Sequence, residues 1–280
     1  VDRLIVASLK DFIIGRGIHG NQIKNYFGGG KKFGFNIQYT HQEKPLGMAN
    51  AIQTTKNLIK GKFLVVNGDD IFESSLINMI IKEKSDFVLP CKEVSETWKF
   101  GILKLSGNKI ERIVEKPKPG KEPSNLAILG AYILPNKIFD YYKKVPVSDM
   151  QHELAMQKYI DDGNTAIAVK YNGFFSAFKY PWDLFTINQY LMNKILKKQT
   201  IDKDAYVSKK ASIEGNVFIS KGARILGNAY IKGPVYIGKD VIVGNNTMVR
   251  NFSSIDDKSV VGFSTEISDS LIGEGCWFHN

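Results

Sequence analysis

The apolar run Phe63-Leu64-Val65-Val66 gives way abruptly to Asn67-Gly68-Asp69-Asp70, so two carboxylates stand where a buried strand meets a turn. In open α/β sheets ligands lie beyond the carboxyl ends of the strands, and a carboxylate placed there faces the crevice that holds them. The competing reading of Asp69 is a helix N-cap, its oxygen spent on backbone N–H groups. The chain around this feature is basic: 38 Lys and Arg against 28 Asp and Glu give a formal net charge of +10. Such a field attracts anions. The lysines are scattered, with no run beyond the pairs Lys31-Lys32, Lys143-Lys144, Lys197-Lys198 and Lys209-Lys210, and no aromatic stacking motif lies among them. That distribution argues against a nucleic-acid partner and leaves a solvated surface or small anionic substrates. Cys91 and Cys276 are far apart and lack His or Cys at metal spacing, so neither a disulfide framework nor a zinc site is supported.

The elements that must position Asp69 read as mixed α/β. Strands are expected at Leu4 to Ser8, Asn36 to Thr40, Phe63 to Val66, Phe87 to Cys91, Gly101 to Leu105, Ile110 to Glu115 and Ala127 to Leu134. Helices are expected at Gln22 to Phe27, Ala49 to Lys60, Ser75 to Lys82, Asn136 to Lys143, His152 to Asp161 and Trp182 to Lys198. Ser106-Gly107-Asn108 reads as a turn and Pro117 to Pro123 as a proline-rich loop. The alternation predicts a three-layer domain over residues 1–200 around a mixed, mainly parallel sheet.

Residues 201–280 follow a different rule. Val207, Ile213, Ile219, Ile225, Ile231, Ile237, Val243, Val249, Ile255, Val261 and Ile267 recur every six residues. The residue four beyond each anchor is small or β-branched ten times out of eleven, from Ala211 and Val217 through Ser259 and Thr265. Period six is wrong for a helix and suits short strands separated by tight bends, which is a β-helix solenoid of about three coils. Gly238, Gly244 and Gly262 directly follow anchors, where a bend could require a glycine backbone angle. The beat breaks at Ile272, one residue early. No apolar run is long enough to cross a bilayer and no secretory pattern opens the chain, so a cytoplasmic location is expected.

Five segments, in order, resemble the sugar-1-phosphate nucleotidyltransferases, the family of glucose-1-phosphate thymidylyl- and uridylyltransferases. They are Tyr39-Thr40-His41-Gln42-Glu43-Lys44-Pro45-Leu46-Gly47-Met48-Ala49, Val66-Asn67-Gly68-Asp69-Asp70, Phe100-Gly101-Ile102, Glu115-Lys116-Pro117 and Ser124 to Tyr132. With the solenoid, the resemblance spans nearly the whole chain. It implies a Rossmann-like nucleotidyltransferase domain followed by a left-handed parallel β-helix. It also implies a reaction in which a sugar-1-phosphate oxygen attacks the α-phosphate of dTTP or UTP and pyrophosphate leaves. On it, Gln42, Pro45, Gly47 and Gly68 bind the nucleotide, Asp69 ligates Mg²⁺, and Gly101, Glu115, Lys116 and Glu153 hold the sugar phosphate. Asp69 and Lys116 are the residues assigned to catalysis, and Asp70 is read as structural. Self-association through the β-helix, as a trimer, is the implied assembly.

The chain departs from the family pattern in two places. Residues 1 to 30 do not supply the family's Gly-rich, arginine-ended phosphate loop, since Gly15-Arg16-Gly17 and Gly28-Gly29-Gly30 both follow what resembles its second strand. The chain is therefore expected to be truncated at its N-terminus, and its solenoid to stop short of a complete acetyltransferase domain, with His279 inert. In Gly173 to Asp183, the family's second metal-binding aspartate falls on Ala177, which cannot be a ligand. Loss of one of two metal carboxylates costs on the order of several kcal/mol in the transition state, hundreds-fold or more in rate. The expected activity is therefore impaired, and the alternatives are a regulatory or scaffold pseudoenzyme of the same family, or an acyltransferase acting through the β-helix.

Overall fold

The computed structural model describes residues 9–18 and 20–278, so the strand expected at Leu4 to Ser8 and the terminal His279 lie outside the described residues. The chain forms two compact units, 1–175 and 176–280.

In the first unit, β1 (Asp11–Arg16) lies parallel to β2 (Asn36–His41), in register from Asp11 opposite Asn36 to Arg16 opposite His41. Between them runs α1 (Gly20–Phe27). Gly15 and Arg16 thus end a strand that the sequence reading did not foresee. After α2 (Gly47–Gln53), the strands β3 (Phe63–Val66), β5 (Val88–Glu93), β6 (Gly101–Ser106), β7 (Lys109–Glu115), β8 (Leu126–Ile128), β9 (Ala131–Leu134) and β10 (Ile167–Lys170) form one seven-stranded sheet in the order β10-β7-β6-β8-β5-β9-β3. A short β4 (Asp70–Phe72) pairs with β11 (Phe175–Ala177), which opens at the last residue of the unit.

The sheet is mixed, as expected, but its parallel share is smaller than the alternation suggested. β10 runs parallel to β5, while β3–β9, β5–β8, β5–β9, β6–β7, β6–β8 and β10–β7 are antiparallel. The reason is local: the Ser106-Gly107-Asn108 turn, with Gly107 at φ 63°, folds β6 straight back onto β7 as a hairpin.

Period-two alternation divides the sheet between two cores. Phe87, Leu89, Cys91, Leu103, Tyr132 and Leu134 face a core completed by α2, α4 (Ile138–Tyr141) and α5 (Gln151–Asp161). Val88, Ala131 and Ile133 face the opposite core, completed by α3 (Ser74–Ile81) through Leu76, Ile77 and Ile80. This is the three-layer arrangement read from the sequence.

In the second unit the anchors stack. Ile213, Ile231, Val249 and Ile267 pair successively in one parallel sheet, and two further sheets carry the other two thirds of the anchors. Partners lie 18 residues apart, so three hexads make one coil. Ile219, Ile225, Ile231, Ile237, Val243, Val249, Ile255 and Val261 are fully buried. Where the second column turns polar its hydroxyls are satisfied: Thr247 donates to Gly262 O at 2.6 Å, Ser253 to Arg250 O at 2.6 Å and Ser259 to Gly273 O at 2.8 Å.

The corner geometry corrects one expectation. Gly238 and Gly244 do not adopt positive φ. Left-handed residues stand three beyond the anchors at Gly222, Asn228, Asp240, Asn246, Lys258 and Ser264, and two beyond them at Gly215, Asn251 and Asp269. Gly238 and Gly244 are glycine because of crowding: a β-carbon on Gly244 would lie 2.6 Å from the backbone of Gly262, and one on Gly238 would lie 2.7 Å from Asp257 N.

The early break at Ile272 also has a physical account. The last corner, Ser268-Asp269-Ser270, has one residue fewer than Arg250-Asn251-Phe252-Ser253, so Ser254 and Ile255 pair with Leu271 and Ile272 at a spacing of 17. Helix α6 (Asp183–Ile195) also belongs to the second unit, with Asn188 donating to Phe252 O at 2.6 Å. The boundary drawn from the sequence at Thr200 falls after this helix.

Gly244→Ala is expected to destabilise the solenoid by about 1–3 kcal/mol through overpacking, whereas Gly273→Ala, whose β-carbon meets nothing within 4 Å, should stay within about 0.5 kcal/mol. Equal unfolding midpoints for the two variants in denaturant would overturn the crowding account.

Candidate functional site

The β2–α2 connection carries the first group of candidate residues. Gln42 extends the β1–β2 ladder, its backbone N–H donating to Arg16 O at 2.9 Å. Its side-chain Nε2 donates to Gly47 O and to Asn50 Oδ1, both at 3.0 Å. With its donors committed, the amide presents its oxygen, an acceptor for an N–H on a base edge. Gly47 has φ 84° with only ordinary contacts around a hypothetical β-carbon, so its dihedral angle, not lack of space, requires glycine. Pro45 is exposed at the tip of this loop.

The second group is the turn after β3. Val66 pairs with Ala131, and the ladder continues one bond further as Asn67 N donates to Gly130 O at 2.7 Å. A β-carbon on Gly130 would overlap the Asp70 carboxylate and the Asn67 amide. Asp70 therefore turns inward and opens β4, in keeping with a structural role. Gly68 and Asp69 are exposed at the turn, and among the described residues the Asp69 carboxylate has no ion pair. The helix-cap alternative does not hold, because α3 begins at Ser74 with Glu73 in the cap position.

The third group forms across the β6–β7 hairpin. Gly101 stands opposite Glu115, and a β-carbon on Gly101 would meet Glu115 Oε2 at 2.8 Å. The bare glycine leaves that space to the carboxylate. Lys116 follows in the left-handed region at φ 43°, an expensive conformation for a lysine, held by Lys116 N donating to Phe100 O at 3.0 Å. The Lys116 ammonium lies 3.7 Å from Glu115 Oε1 and is 66% exposed, against 17% for Glu115. Glu153, in the first turn of α5, completes the group. Burial, reinforced by the negative charge of Glu115 and moderated by a backbone hydrogen bond and Lys116, pushes its carboxyl up to about 7.

These groups converge on a residue that the sequence reading passed over. Tyr132 is 3% exposed, and burial, followed by the neighbouring Tyr142 and the charges of Glu153, Asp70 and Glu115, pushes its hydroxyl well above the usual range. Tyr132 also donates to Met48 Sδ at 2.8 Å, next to Gly47. The signal in the sequence was a single phenol inside the otherwise aliphatic β9, which burial alone does not explain. Ala177, where the resemblance puts the family's second aspartate, ends β11 with a half-buried methyl group. No group of three His, Cys, Asp or Glu among the described residues could hold a metal. The Gly28-Gly29-Gly30 turn instead lines a cavity of about 300 Å³ with Tyr26, Lys31 and Lys32.

Because the folded-state carboxyl of Glu153 titrates above its ordinary value, its contribution favours the fold most below pH 4.5 and is lost as pH rises through about 7. Glu153→Gln should flatten the stability profile between those limits. Parallel profiles for the two proteins in chemical denaturation would contradict this environment for Glu153.

Comparison with known proteins places the chain in a family and a fold. The family model described as nucleotidyl transferase matches residues 1–194, and the bacterial transferase hexapeptide model, of six repeats, matches 216–251. The bifunctional protein GlmU of Methanococcus maripaludis strain S2 is 36% identical over 280 aligned residues, covering 94% of this chain and 66% of that protein. The low-salt glycan biosynthesis nucleotidyltransferase Agl11 of Haloferax volcanii is 32% identical over 275 residues, covering 91% of this chain and 76% of that protein. The chain spans between 39% and 66% of the length of the first GlmU relatives it matches. A UDP-glucose pyrophosphorylase crystallised with UDP-glucose superposes with a TM-score of 0.61 at 20% identity, covering 69% of this chain and 84% of that one. A UTP-bound enzyme from Acinetobacter baumannii superposes at 0.55 and 19% identity, covering 70% and 81%. At such identities these structures speak to the fold alone. Members of the family generally use a divalent metal. With its model matched over residues 1–194 and the fold shared, the chain belongs to the nucleotidyl transferase family.

Proposed function

We propose that this chain is a sugar-1-phosphate nucleotidyltransferase, joining a sugar-1-phosphate to a nucleoside monophosphate drawn from dTTP or UTP. The observation that carries this reading is the convergence of three separate sequence segments, the Gln42–Gly47 loop, the Asn67–Asp70 turn and the Gly101/Glu115/Lys116/Glu153 group, around Tyr132. In the reaction an oxygen of the sugar phosphate forms a bond to the α-phosphorus, the bond to the bridging oxygen of the β-phosphate breaks, and pyrophosphate leaves with that electron pair.

The chain's own residues fit the parts this step requires. The Gln42 oxygen accepts from the N3–H that uracil and thymine share, while Gly47 brings the backbone close to the base. Lys116 pairs with the sugar phosphate, and Glu115 and Glu153 accept from sugar hydroxyls. Residues 201–280 hold nine basic and nine acidic side chains, so the whole excess of +10 lies in residues 1–200, where anionic substrates would be drawn.

Mg²⁺ fits as an ion carried largely by substrate. Asp69 is exposed and has no ion pair among the described residues, and Mg²⁺ is commonly held by one or two carboxylates together with phosphates and water. Bound there it would neutralise charge on the transferring phosphate. With Ala177 in place of a second carboxylate, the proposed activity is weak. That same alanine favours a second reading, a regulatory subunit that binds nucleotide without turnover. The proposal includes a cytoplasmic protein that self-associates through its solenoid as a trimer.

Pyrophosphate release with Mg²⁺, glucose-1-phosphate or N-acetylglucosamine-1-phosphate, and each nucleoside triphosphate tests the assignment. Turnover with UTP or dTTP is expected, falling roughly a hundredfold or more in Asp69→Asn and rising in Ala177→Asp. Silence relieved only by Ala177→Asp would replace catalysis with the regulatory reading. Light scattering that shows a monomer at every concentration would overturn the trimer.

A further inference from the structure

His152 is 1% exposed and lies between two phenols that are 3% and 1% exposed, Tyr132 and Tyr142. Its Nε2 is 2.9 Å from the Tyr132 hydroxyl and its Nδ1 is 2.8 Å from the Tyr142 hydroxyl. A neutral ring carries one N–H and one bare nitrogen, so it donates to one phenol and accepts from the other, the tautomer setting which. In the tautomer that leaves the Tyr132 proton on Met48 Sδ at 2.8 Å, the Tyr132 oxygen accepts from His152 Nε2–H. A neutral imidazole then has a bare Nδ1, which accepts from the Tyr142 O–H. Burial pushes the His152 ring down to about 4, so it is neutral throughout the ordinary range and bridges the two phenols with one donor and one acceptor. Gln151 Nε2 donates to the backbone carbonyl of Tyr142 at 2.9 Å, which holds the main chain that carries this phenol.

The Met48 end of this hydrogen-bonded chain and its central histidine adjoin the two proposed substrate groups. Met48 follows Gly47, whose carbonyl holds the Gln42 amide. Glu153 follows His152 on α5 and, one residue further around the helix, turns toward Glu115 and Lys116. On α5 the positions 152, 155, 156 and 159 form the buried stripe, in which Ala155, Met156 and Tyr159 pack against the core. An aliphatic residue at 152 would satisfy that stripe but would leave the buried Tyr142 hydroxyl without a partner, at a cost of about 1–3 kcal/mol, and the Tyr132 hydroxyl with Met48 Sδ alone. A ring with a donor on one side and an acceptor on the other is what the position demands.

We infer that His152 is a positioning residue that ties the nucleotide end of the site to the sugar-phosphate end through Tyr132. This inference rests on the function proposed above. His152 touches neither substrate; it sets where Gly47 and Glu153 stand relative to each other.

The test compares His152→Phe, Tyr132→Phe and Met156→Ala in the full chain, with thermal midpoints, kcat, and KM measured separately for UTP and glucose-1-phosphate. Both network variants should raise both KM values by about tenfold, the equivalent of roughly 1.4 kcal/mol at each end. Met156→Ala, a core truncation on the same helix, should lower the midpoint and leave both KM values within about twofold. A rise for one substrate only, unchanged KM values in Tyr132→Phe, or an equal rise in Met156→Ala would each overturn the inference. Tyr132→Phe removes a single oxygen and carries the test if His152→Phe does not fold. Should the unaltered chain bind both ligands without turnover, the catalytic reading fails by itself, and calorimetric Kd values for UTP and glucose-1-phosphate decide the positioning role by the same criteria.

Discussion

Ala131 and Ile133 face one core and Tyr132 and Leu134 the other, and a slip of one residue in this strand would exchange every side chain between the two layers. That constraint fixes the register of β3 against β9, and with it the bond from Asn67 to Gly130 that ends the ladder. Asp70 is then drawn inward and Asp69 is left facing solvent. The same register puts the Tyr132 hydroxyl where α2 and α5 meet the sheet. Apolar burial thus decides the placement of polar groups that contribute little to stability themselves.

The electrostatics of the Glu115, Lys116 and Glu153 group run against stability. Burial and Glu115 both oppose ionisation of Glu153, with Lys116 giving partial relief from an exposed position. Lys116 also holds a backbone conformation that costs free energy. Local unfavourable terms of this kind concentrate where a fold must receive a charged ligand, since the ligand supplies the missing partner.

Much of this was legible in the sequence because it is periodic or local. The six-residue anchors required only counting, and the turn residues Asn67 to Asp70 announced themselves after four consecutive apolar side chains. The pairing of Gly101 with Glu115 could be reached only by resemblance, since thirteen intervening positions and a bulge near Lys104 separate them in the chain. The Tyr132–His152–Tyr142 chain had no local pattern to betray it, because His152 occupies a stripe position that reads as an ordinary core site. The crowded glycines Gly238 and Gly244 were noticed and misjudged. A sequence shows that a side chain is missing but not whether a dihedral angle or a neighbouring coil excludes it.

The shortened corner at Ser268-Asp269-Ser270 has a wider meaning for the second unit. Three residues turn the corner that four turn in the preceding coil, yet Ile255 still meets Ile272 and Val261 still meets Phe278. Length changes are absorbed where the backbone already bends, while the stacked columns on either side stay in phase. A solenoid of this construction is an open-ended ruler with elastic joints: its corners can gain or lose residues, and so acquire new loops, without disturbing the count that holds it together.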